Sequence, residues 1–334
     1  MSHEFPFVEF QRRFLTVRMD LSNKCNLACR ICVRSAETSK AGRRFDMEPT
    51  LFRKIAGEIL PRTSELFLSC GAEPLIARNL LDVLRVIGKA QVPFVAFTTN
   101  ALLFNEENIR EVVSSGVKEV YVSFDGATEG TFAKIRGGAS IYRVMEKIKF
   151  INGVKRSLSA TTPRIELHVT LMRSNIEELE GIIDIAGSLE IHRVTALHVY
   201  PFPQLHLEDE SLFRHRDLYD DCVKAARERA FRLGIEFDSP PLFEKAAPAG
   251  ACDLREDRNP ACVLPWKSFV IWPNGNVLPC SFWYEGEPFG SLTESSFQKI
   301  WYGPRYQQLR ESIRNNILGD NCIHCPALLA DLRA

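Results

Sequence analysis

Short apolar segments alternate with amphipathic ones over most of the chain, and this alternation most restricts what the chain can fold into. Six segments rich in β-branched and aromatic residues have the pattern of strands, and each precedes a stretch with helical apolar spacing. Such strand–helix units predict right-handed crossovers around a parallel sheet. The predicted strands are 14–21, 65–69, 94–98, 119–124, 164–172 and 193–200, with helices starting near Pro49, Arg78, Asn105, Ile141, Asn175 and Ser211.

Six such units are fewer than a closed α/β barrel needs, so the sequence predicts an α/β fold with a partial (β/α)6 barrel over residues 14–237. Residues 238–261 contain PP, AAPAG and DLREDR and show neither the apolar spacing of a helix nor that of a strand. Such a segment is typical of a linker. Within residues 262–334, strand patterns at 268–272 and 276–280 flank a Pro-Asn-Gly turn, and a helical pattern covers 295–318. We therefore expect a small second domain built from a β-hairpin and a helix.

Charge and cysteine content narrow the class of protein. Lys and Arg together number 42, as do Asp and Glu, so no net charge favours nucleic acid or an anionic membrane as partner. No run approaches the roughly 20 apolar residues of a transmembrane helix, and the start MSHEFPFVEFQRRF lacks the apolar core of a signal peptide. We expect a cytoplasmic protein that acts on a small molecule or a peptide. Its ten cysteines should then be thiols or metal ligands rather than disulfides.

Cys25, Cys29 and Cys32, in KCNLACRICVR, come directly after the first predicted strand. In α/β barrels, the loops at the carboxyl ends of the strands carry the chemistry. Three thiolates on one such loop can ligate three irons of a 4Fe-4S cluster and leave the fourth iron open. A zinc site, which would need a fourth ligand not visible nearby, and chance spacing remain alternatives.

The spacing C-x3-C-x2-C after the first strand resembles the signature of the radical S-adenosylmethionine (SAM) superfamily. The resemblance implies that the open iron chelates the amino and carboxylate groups of SAM. It also implies that an electron from the cluster cleaves SAM to methionine and a 5′-deoxyadenosyl radical. One departure is Ile31, which stands where many members carry an aromatic residue against the adenine.

Further motifs follow the later strands in the order of that superfamily. Residues 69–74, SCGAEP, resemble its GGE-type motif, which implies that Glu73 pairs with the methionine ammonium. Arg136, in KIRGG, resembles the arginine that pairs with the SAM carboxylate. Glu73 could instead cap the next helix, Arg136 could be a solvated charge, and Asp125-Gly126 is also a common turn. The ends of the third and fourth predicted strands are similar to segments of the superfamily that approach the ribose and carboxylate of SAM. The residues concerned are Thr99, Asn100, Ser123 and Asp125.

Cys262, Cys280, Cys322 and Cys325 form a second group, in which the hairpin brings distant cysteines towards a close pair. Four thiolates suit either zinc or an iron-sulfur cluster. The segments CVLPW, GNVLPC, IW and CIHC resemble the SPASM and twitch auxiliary domains of the radical SAM superfamily. A full SPASM domain needs seven cysteines, and no cysteine follows Cys325. The resemblance therefore implies a twitch domain with one auxiliary 4Fe-4S cluster, ligated by these four cysteines.

The remaining candidates are less defined. His198 and Tyr200 end the sixth strand, and they either point to the substrate or pack at the end of the barrel. Cys252, in the linker, is either an exposed thiol or a hydrogen-atom donor in the active site. Cys222 and Cys70 are expected to pack as small apolar residues.

The resemblance thus implies an enzyme that cleaves SAM and abstracts hydrogen, and we expect its substrate to be a small polar metabolite, sugar-like or aminocyclitol-like. The resemblance implies oxidation with the auxiliary cluster as electron acceptor, and a flavodoxin or ferredoxin-type electron donor. Epimerisation of such a substrate, peptide or protein modification, and a non-enzymatic metal-binding scaffold are the alternatives. Ser281 argues against a sulfatase-maturase role, because those enzymes carry an aspartate base there and a serine of ordinary pKa accepts a proton poorly.

Overall fold

The computed structural model describes residues 13–38, 44–69, 71–200, 202–245, 262–283, 286–323 and 325. Ten strands within these ranges form one sheet. Successive strands of its main part are joined by helices, as the sequence pattern predicts. The strands are Leu15–Met19 (β1), Thr63–Phe67 (β2), Phe94–Thr99 (β3), Glu119–Ser123 (β4), Arg164–Leu171 (β5), Arg193–His198 (β6), Glu236–Asp238 (β7), Ser268–Ile271 (β8), Asn276–Leu278 (β9) and Gly290–Ser291 (β10).

Local signals explain where several helices begin and end. Asn105 forms a capping box with Asn108, and Gly234 ends the long eighth helix in the left-handed conformation that glycine adopts without strain. The helices are Val33–Thr38 (α1), Pro49–Glu58 (α2), Leu80–Ala90 (α3), Glu106–Ser114 (α4), Glu129–Ile135 (α5), Ile141–Ser157 (α6), Leu179–Ser188 (α7), Arg216–Leu233 (α8), Leu264–Lys267 (α9), Phe297–Trp301 (α10), Pro304–Arg314 (α11) and Asp320–Ile323 (α12).

The sheet has the order β10-β9-β8-β1-β2-β3-β4-β5-β6-β7. Strands β1 to β7 are all parallel to their neighbours. Because the order is linear, β7 and β10 lie at opposite ends, and the described strands form an open barrel. The predicted α/β fold of the partial-barrel type is confirmed.

All six predicted strands are present, although β2 begins two residues earlier than expected and several others end earlier. The structure adds β7, which pairs in parallel with β6 beyond the end of α8. Its three residues, two of them acidic, are too few to show a strand period in the sequence. The barrel sheet therefore has seven consecutive parallel strands rather than six.

The two faces of the sheet differ in chemistry. The outer face packs against the helices through residues that are almost completely buried, among them Val17, Val120 and Leu167. Alternate residues point to the opposite face, because side chains alternate along a strand. On that inner face β4 and β5 carry polar residues, so the open barrel has a polar interior wall.

The C-terminal region continues the barrel sheet. The predicted hairpin is present, with β8 and β9 antiparallel, and β8 pairs in parallel with β1 from Thr16–Ser268 to Met19–Ile271. The single predicted helix at 295–318 is two helices: Tyr302 and Gly303 lie between α10 and α11, and Pro304 begins α11 because proline cannot continue the preceding helix. The boundaries 14–237, 238–261 and 262–334 remain predictions, and residues 246–261 lie outside the described part of the chain.

Candidate active site

The first cysteine group lies on the loop between β1 and α1. Cys29 is buried, Cys32 is half-buried and Cys25 is exposed. Burial raises the pKa of Cys29 to about 11; the Arg136 guanidinium lowers it, and the other two thiols raise it. The residue Cys25 is exposed as a whole, but the surrounding chain keeps part of the water from its sulfur and so raises the pKa of this thiol too; Cys32 adds to the rise and Arg136 opposes it. The three thiols and Arg136 therefore lie close enough for their charges to affect one another's protonation.

Two hydrogen bonds tie this loop to the ends of neighbouring strands. The backbone N–H of Glu73, after β2, donates to the carbonyl oxygen of Lys24 at 3.0 Å. The side-chain Nδ2 of Asn100, after β3, donates to Oδ1 of Asn26 at 2.9 Å. The predicted SAM-binding segments thus also position the cysteine loop.

Glu73 is 2% exposed and accepts three hydrogen bonds. Its Oε1 accepts from Thr99 Oγ1 at 2.7 Å and from the backbone N–H of Leu75 at 3.2 Å, and its Oε2 accepts from the backbone N–H of Asn100 at 2.9 Å. Burial raises the pKa of Glu73, while these hydrogen bonds oppose the rise. The contact with Leu75 caps the 3-10 turn Pro74–Ile76, as the alternative interpretation expected. A carboxylate has about four acceptor positions, so Oε2 retains capacity for one more donor.

Asp125 and Arg136 form a buried ion pair. Arg136 Nη1 lies 3.1 Å from Asp125 Oδ2, with the two side chains 12% and 1% exposed. The other oxygen of Asp125 accepts from the backbone N–H of Thr170 at 2.7 Å. The Nε of Arg136 is buried and has no hydrogen-bond partner among the described residues. Arg136 is therefore not a solvated charge, and it keeps a donor for an anionic group.

The other predicted SAM contacts lie at the same edge of the sheet. Thr99 and Asn100 are buried at the end of β3, where both bind Glu73. Ser123 is half-buried at the end of β4, in register with His168 of β5. The structure brings these strand ends together, as expected for the carboxyl edge of a parallel sheet.

His198 does not occupy the position predicted for a substrate contact. Its ring lies 5.0 Å from Phe213, 4.9 Å from Tyr219 and 5.8 Å from Phe243, measured between centroids. Tyr219 belongs to α8, so His198 points to the outer, helix-covered face. The packing alternative is the one the structure supports.

Tyr200 remains a candidate for substrate contact. It is 36% exposed beyond the end of β6 and meets the ring of Phe202 edge-on at 4.5 Å. Leu197 of β6 is 58% exposed. Leu197, Tyr200 and Phe202 therefore form a small apolar surface at the carboxyl end of β6, next to the polar interior of the barrel.

Three cysteines lie outside the two predicted ligand sets. Cys222 is partly buried and packs with Leu218 against the core, which confirms its packing role. Cys252 and Cys70 lie outside the described residues, so the roles predicted for them stay predictions.

The inner wall contains a group that the sequence pattern alone did not single out. His168 Nε2 lies 3.1 Å from Glu166 Oε1, which also accepts from the hydroxyl of Thr195. The ring of Tyr121 stacks on His168, with centroids 4.4 Å apart. The sequence does contain a signal: β5, RIELHVTL, alternates the polar residues Arg164, Glu166, His168 and Thr170 with apolar ones, which places the four on one face of the strand.

The thiols of the second cysteine group lie close enough to one another to affect their pKa values. Burial is the main cause that raises the pKa of Cys280 to about 12; the backbone N–H of Phe282 opposes the rise, and Cys325, Cys322 and Cys262 add to it. Burial raises the pKa of Cys322 to about 11, again with contributions from Cys262 and Cys325. The four thiols therefore share one region, next to the hairpin that pairs with β1.

Arg310 of α11 holds the chain beside this group. It is 5% exposed and donates from Nε to Pro265 O at 2.9 Å and from Nη1 to Trp301 O at 2.8 Å. Its guanidinium lies 4.5 Å from the Trp301 ring centroid and 5.0 Å from that of Tyr306. Pro265 follows Cys262 by three residues, so Arg310 fixes the segment that presents Cys262.

The donor sets fit iron-sulfur clusters. Thiolates are the ligands of such clusters, and the two groups offer three and four of them. Among the described residues, no three Cys, His, Asp or Glu side chains are packed as ligands of one metal ion.

Comparison with known families agrees with this geometry. The profile of the radical SAM superfamily matches residues 19–199, and that of SPASM, an iron-sulfur cluster-binding domain, matches residues 262–326. The chain belongs to the radical SAM superfamily. It is therefore an enzyme of the class that uses a 4Fe-4S cluster and SAM, and its SPASM match indicates further iron-sulfur binding.

Individual relatives are distant. The chain is 23% identical to the tungsten-containing aldehyde ferredoxin oxidoreductase cofactor-modifying protein of Pyrococcus furiosus, over 92% of this chain and 86% of that protein. It is 23% identical to PqqA peptide cyclase of Bradyrhizobium diazoefficiens, over 80% of this chain and 66% of that protein. The structure of Streptococcus suis SuiB bound to precursor peptide SuiA matches with a TM-score of 0.66 at 16% identity, over 89% of this chain and 67% of SuiB. At this identity the likeness to SuiB shows the fold alone.

None of the described helices has both the length and the apolar character needed to cross a membrane.

Proposed function

We propose that this protein is a radical SAM oxidoreductase that removes two hydrogens from a small polyhydroxylated or aminocyclitol-like metabolite. The observation that carries this proposal is the polar inner wall of the open barrel. There Tyr121, Glu166, His168 and Thr195 form a hydrogen-bonded and stacked group next to the strand ends that carry the SAM motifs. A wall with these donors and acceptors suits hydroxyl and amino groups better than apolar ones.

Cys25, Cys29 and Cys32 would hold the first cluster. When bound, this cluster and SAM supply the radical that removes hydrogen from an unactivated C–H bond. The chain contributes the binding and orientation of SAM. Glu73, through the free acceptor position on Oε2, would bind the ammonium group of SAM.

Arg136 would bind the SAM carboxylate through its unpartnered Nε. Asp125 holds the guanidinium in place and offsets its charge in the buried site. Thr99, Asn100 and Ser123 would contact the ribose and carboxylate directly or fix the groups that do. Charge-assisted hydrogen bonds in such a buried site are strong, so they orient SAM as well as bind it.

Cys262, Cys280, Cys322 and Cys325 would hold one auxiliary 4Fe-4S cluster. Because four thiolates complete the coordination of such a cluster, its chemistry is electron transfer rather than ligation of the substrate. The β1–β8 pairing joins this region to the barrel, and Arg310 holds the segment after Cys262 within the region. A flavodoxin or ferredoxin-type protein is the proposed source of the electron for the first cluster.

Peptide modification is the second candidate. The observation that favours it is the pair of exposed apolar side chains at the end of β6, Leu197 and Tyr200, which would suit an apolar residue of a peptide. PqqA peptide cyclase, one of the relatives, is named for a peptide substrate. The P. furiosus relative, which spans more of both chains, is named for modifying a cofactor.

The test uses anaerobically reconstituted, dithionite-reduced protein with SAM. It is incubated in D2O with each of four substrates in turn: myo-inositol, scyllo-inosamine, D-glucosamine and a synthetic peptide library. The masses of the products are then measured by mass spectrometry. We expect 5′-deoxyadenosine together with a polyol or aminocyclitol product lighter by two hydrogens. A product of unchanged skeleton that has gained solvent deuterium would establish epimerisation instead. Modification of peptides alone would establish the second candidate.

A further inference from the structure

His168 is held in one orientation on the inner wall of the barrel. Its Nε2 lies 3.1 Å from Oε1 of Glu166, and the hydroxyl of Thr195 donates to the same oxygen. The Tyr121 ring covers one face of the imidazole at 4.4 Å, with an angle of 15° between the planes. The imidazole is therefore fixed by one hydrogen bond at its edge and one stacked ring on its face.

The partner of Nε2 determines which ring nitrogen of His168 is basic. Burial raises the pKa of Glu166, but the hydrogen bonds from His168 and Thr195 outweigh burial and lower it, so Glu166 is a carboxylate at neutral pH. A carboxylate only accepts hydrogen bonds, so Nε2 carries the proton of the neutral imidazole. The lone pair then lies on Nδ1, which makes no hydrogen bond with any of the described residues.

The other ionisable groups on this wall are already engaged. Tyr121 donates its hydroxyl proton to Glu119 at 2.9 Å, and Glu119 pairs with Arg164 at 2.7 Å. Glu166 is occupied by two donors, and an arginine does not give up its proton. Of the described groups on β4 and β5, His168 is the one placed to accept a proton.

His168 also lies next to the SAM-binding residues. It is the register partner of Ser123. Two residues further along β5, the backbone N–H of Thr170 binds Asp125, the partner of Arg136. The His168 side chain is 29% exposed, so a ligand in the open barrel can reach it.

We propose that His168 is the catalytic base of the oxidation, that Nδ1 accepts the hydroxyl proton of a substrate carbinol, and that Glu166 is its positioning residue. This inference rests on the proposed oxidation. Once the C–H hydrogen atom has left, the O–H proton goes to Nδ1, and the remaining electron would be accepted by the oxidised auxiliary cluster that Cys262, Cys280, Cys322 and Cys325 would hold. The C–O single bond becomes a carbonyl, so the substrate loses two hydrogens in all.

The first test measures the free nitrogen without turnover. Reconstituted protein at pH 7 is treated with diethyl pyrocarbonate, which acylates unprotonated imidazole nitrogens, and each histidine is followed by peptide mass spectrometry. His168 should react, and scyllo-inosamine with SAM should slow that reaction while leaving the exposed His206 unaffected. If His168 stays unreactive while His206 is acylated, its Nδ1 is not available and the proposal fails.

The second test uses His168→Gln, with His206→Gln as the matched control, and scyllo-inosamine deuterated at carbon as the probe. His168→Gln should still transfer deuterium to 5′-deoxyadenosine but form ketone about 100-fold more slowly or worse, since positioned bases contribute that much. Glu166→Gln should give an intermediate loss and slow acylation of His168, which a merely structural role would not do. Ketone formation at the wild-type rate by His168→Gln would overturn the proposal. Failure of the unmutated enzyme to form ketone would instead contradict the proposed function, and the acylation result would stand apart from it.

Discussion

Gly137 lies directly against the backbone of Ala28 in the cysteine loop. A Cβ on Gly137 would come within 2.6 Å of the Ala28 carbonyl oxygen, and the residue has φ of +64°. Next to it, the backbone N–H of Arg30 donates to Ile135 O at 2.9 Å. The end of α5 and the loop with Cys25, Cys29 and Cys32 are therefore packed backbone to backbone.

Gly137→Ala should consequently displace the cysteine loop. Gly138 offers a matched control, because its φ is +84° but a Cβ added there would meet no atom within 4 Å. Both variants carry the strain of a left-handed alanine, about 1–2 kcal/mol, and only Gly137→Ala adds the clash. We expect Gly137→Ala to lose iron from the first cluster on reconstitution and Gly138→Ala to retain it. Equal iron content in the two variants would show that the contact with Ala28 is unimportant.

The Asp125–Arg136 pair should be critical for stability. Asp125→Asn keeps an acceptor for Thr170 but sets an amide donor or a neutral oxygen against the buried guanidinium. Breaking one side of a buried pair costs about 3–5 kcal/mol in the free energy of unfolding. The exposed Arg173–Glu177 pair is the control, and Glu177→Gln should cost less than about 0.5 kcal/mol. Urea unfolding of the three proteins measures the difference; a cost for Asp125→Asn no larger than the control would mean that Arg136 finds another counter-charge.

Glu73→Gln should weaken SAM binding while leaving the structure of the site intact. Glutamine retains one acceptor oxygen for Thr99 or Asn100 but has no charge to pair with an ammonium group. Losing a charge-assisted hydrogen bond of about 1.5–3 kcal/mol corresponds to a roughly 10- to 150-fold rise in the dissociation constant. Calorimetry with SAM on the reconstituted protein, at matched iron content, gives the value. Unchanged affinity would assign Glu73 to capping and to holding the cysteine loop alone.

Arg310 should be needed for the auxiliary site. Arg310→Lys cannot donate to both Pro265 O and Trp301 O in the same planar geometry. Arg314→Lys is the control, since Arg314 is exposed and lies over Trp266 at 5.3 Å. We expect Arg310→Lys to lose iron associated with Cys262 and Arg314→Lys to keep it. If both variants keep full iron content, the position of the Cys262 segment is fixed by other contacts.

The parts that could be predicted from the sequence are those with a local signal. Strand β5 alternates apolar and polar residues over eight positions after Pro163, and the cysteine spacings are visible without any structure. Strand β7 has three residues and no period of its own, and β8 pairs with β1 through contacts distant in sequence. The facing of His198 was ambiguous because a shift of one residue in a strand reverses its side chains. The Asp125–Arg136 pair has no local signal in the sequence, because it forms between a residue after β4 and a residue at the end of α5.

The iron content of the protein tests the central claim most directly, namely that three cysteines hold one cluster and four hold a second. Anaerobically reconstituted protein should contain about eight irons and eight sulfides, as two 4Fe-4S clusters require. Changing Cys25, Cys29 and Cys32 together to Ala should leave about four irons, held by Cys262, Cys280, Cys322 and Cys325. About four irons in the unmutated protein, accompanied by one equivalent of zinc, would contradict the auxiliary cluster.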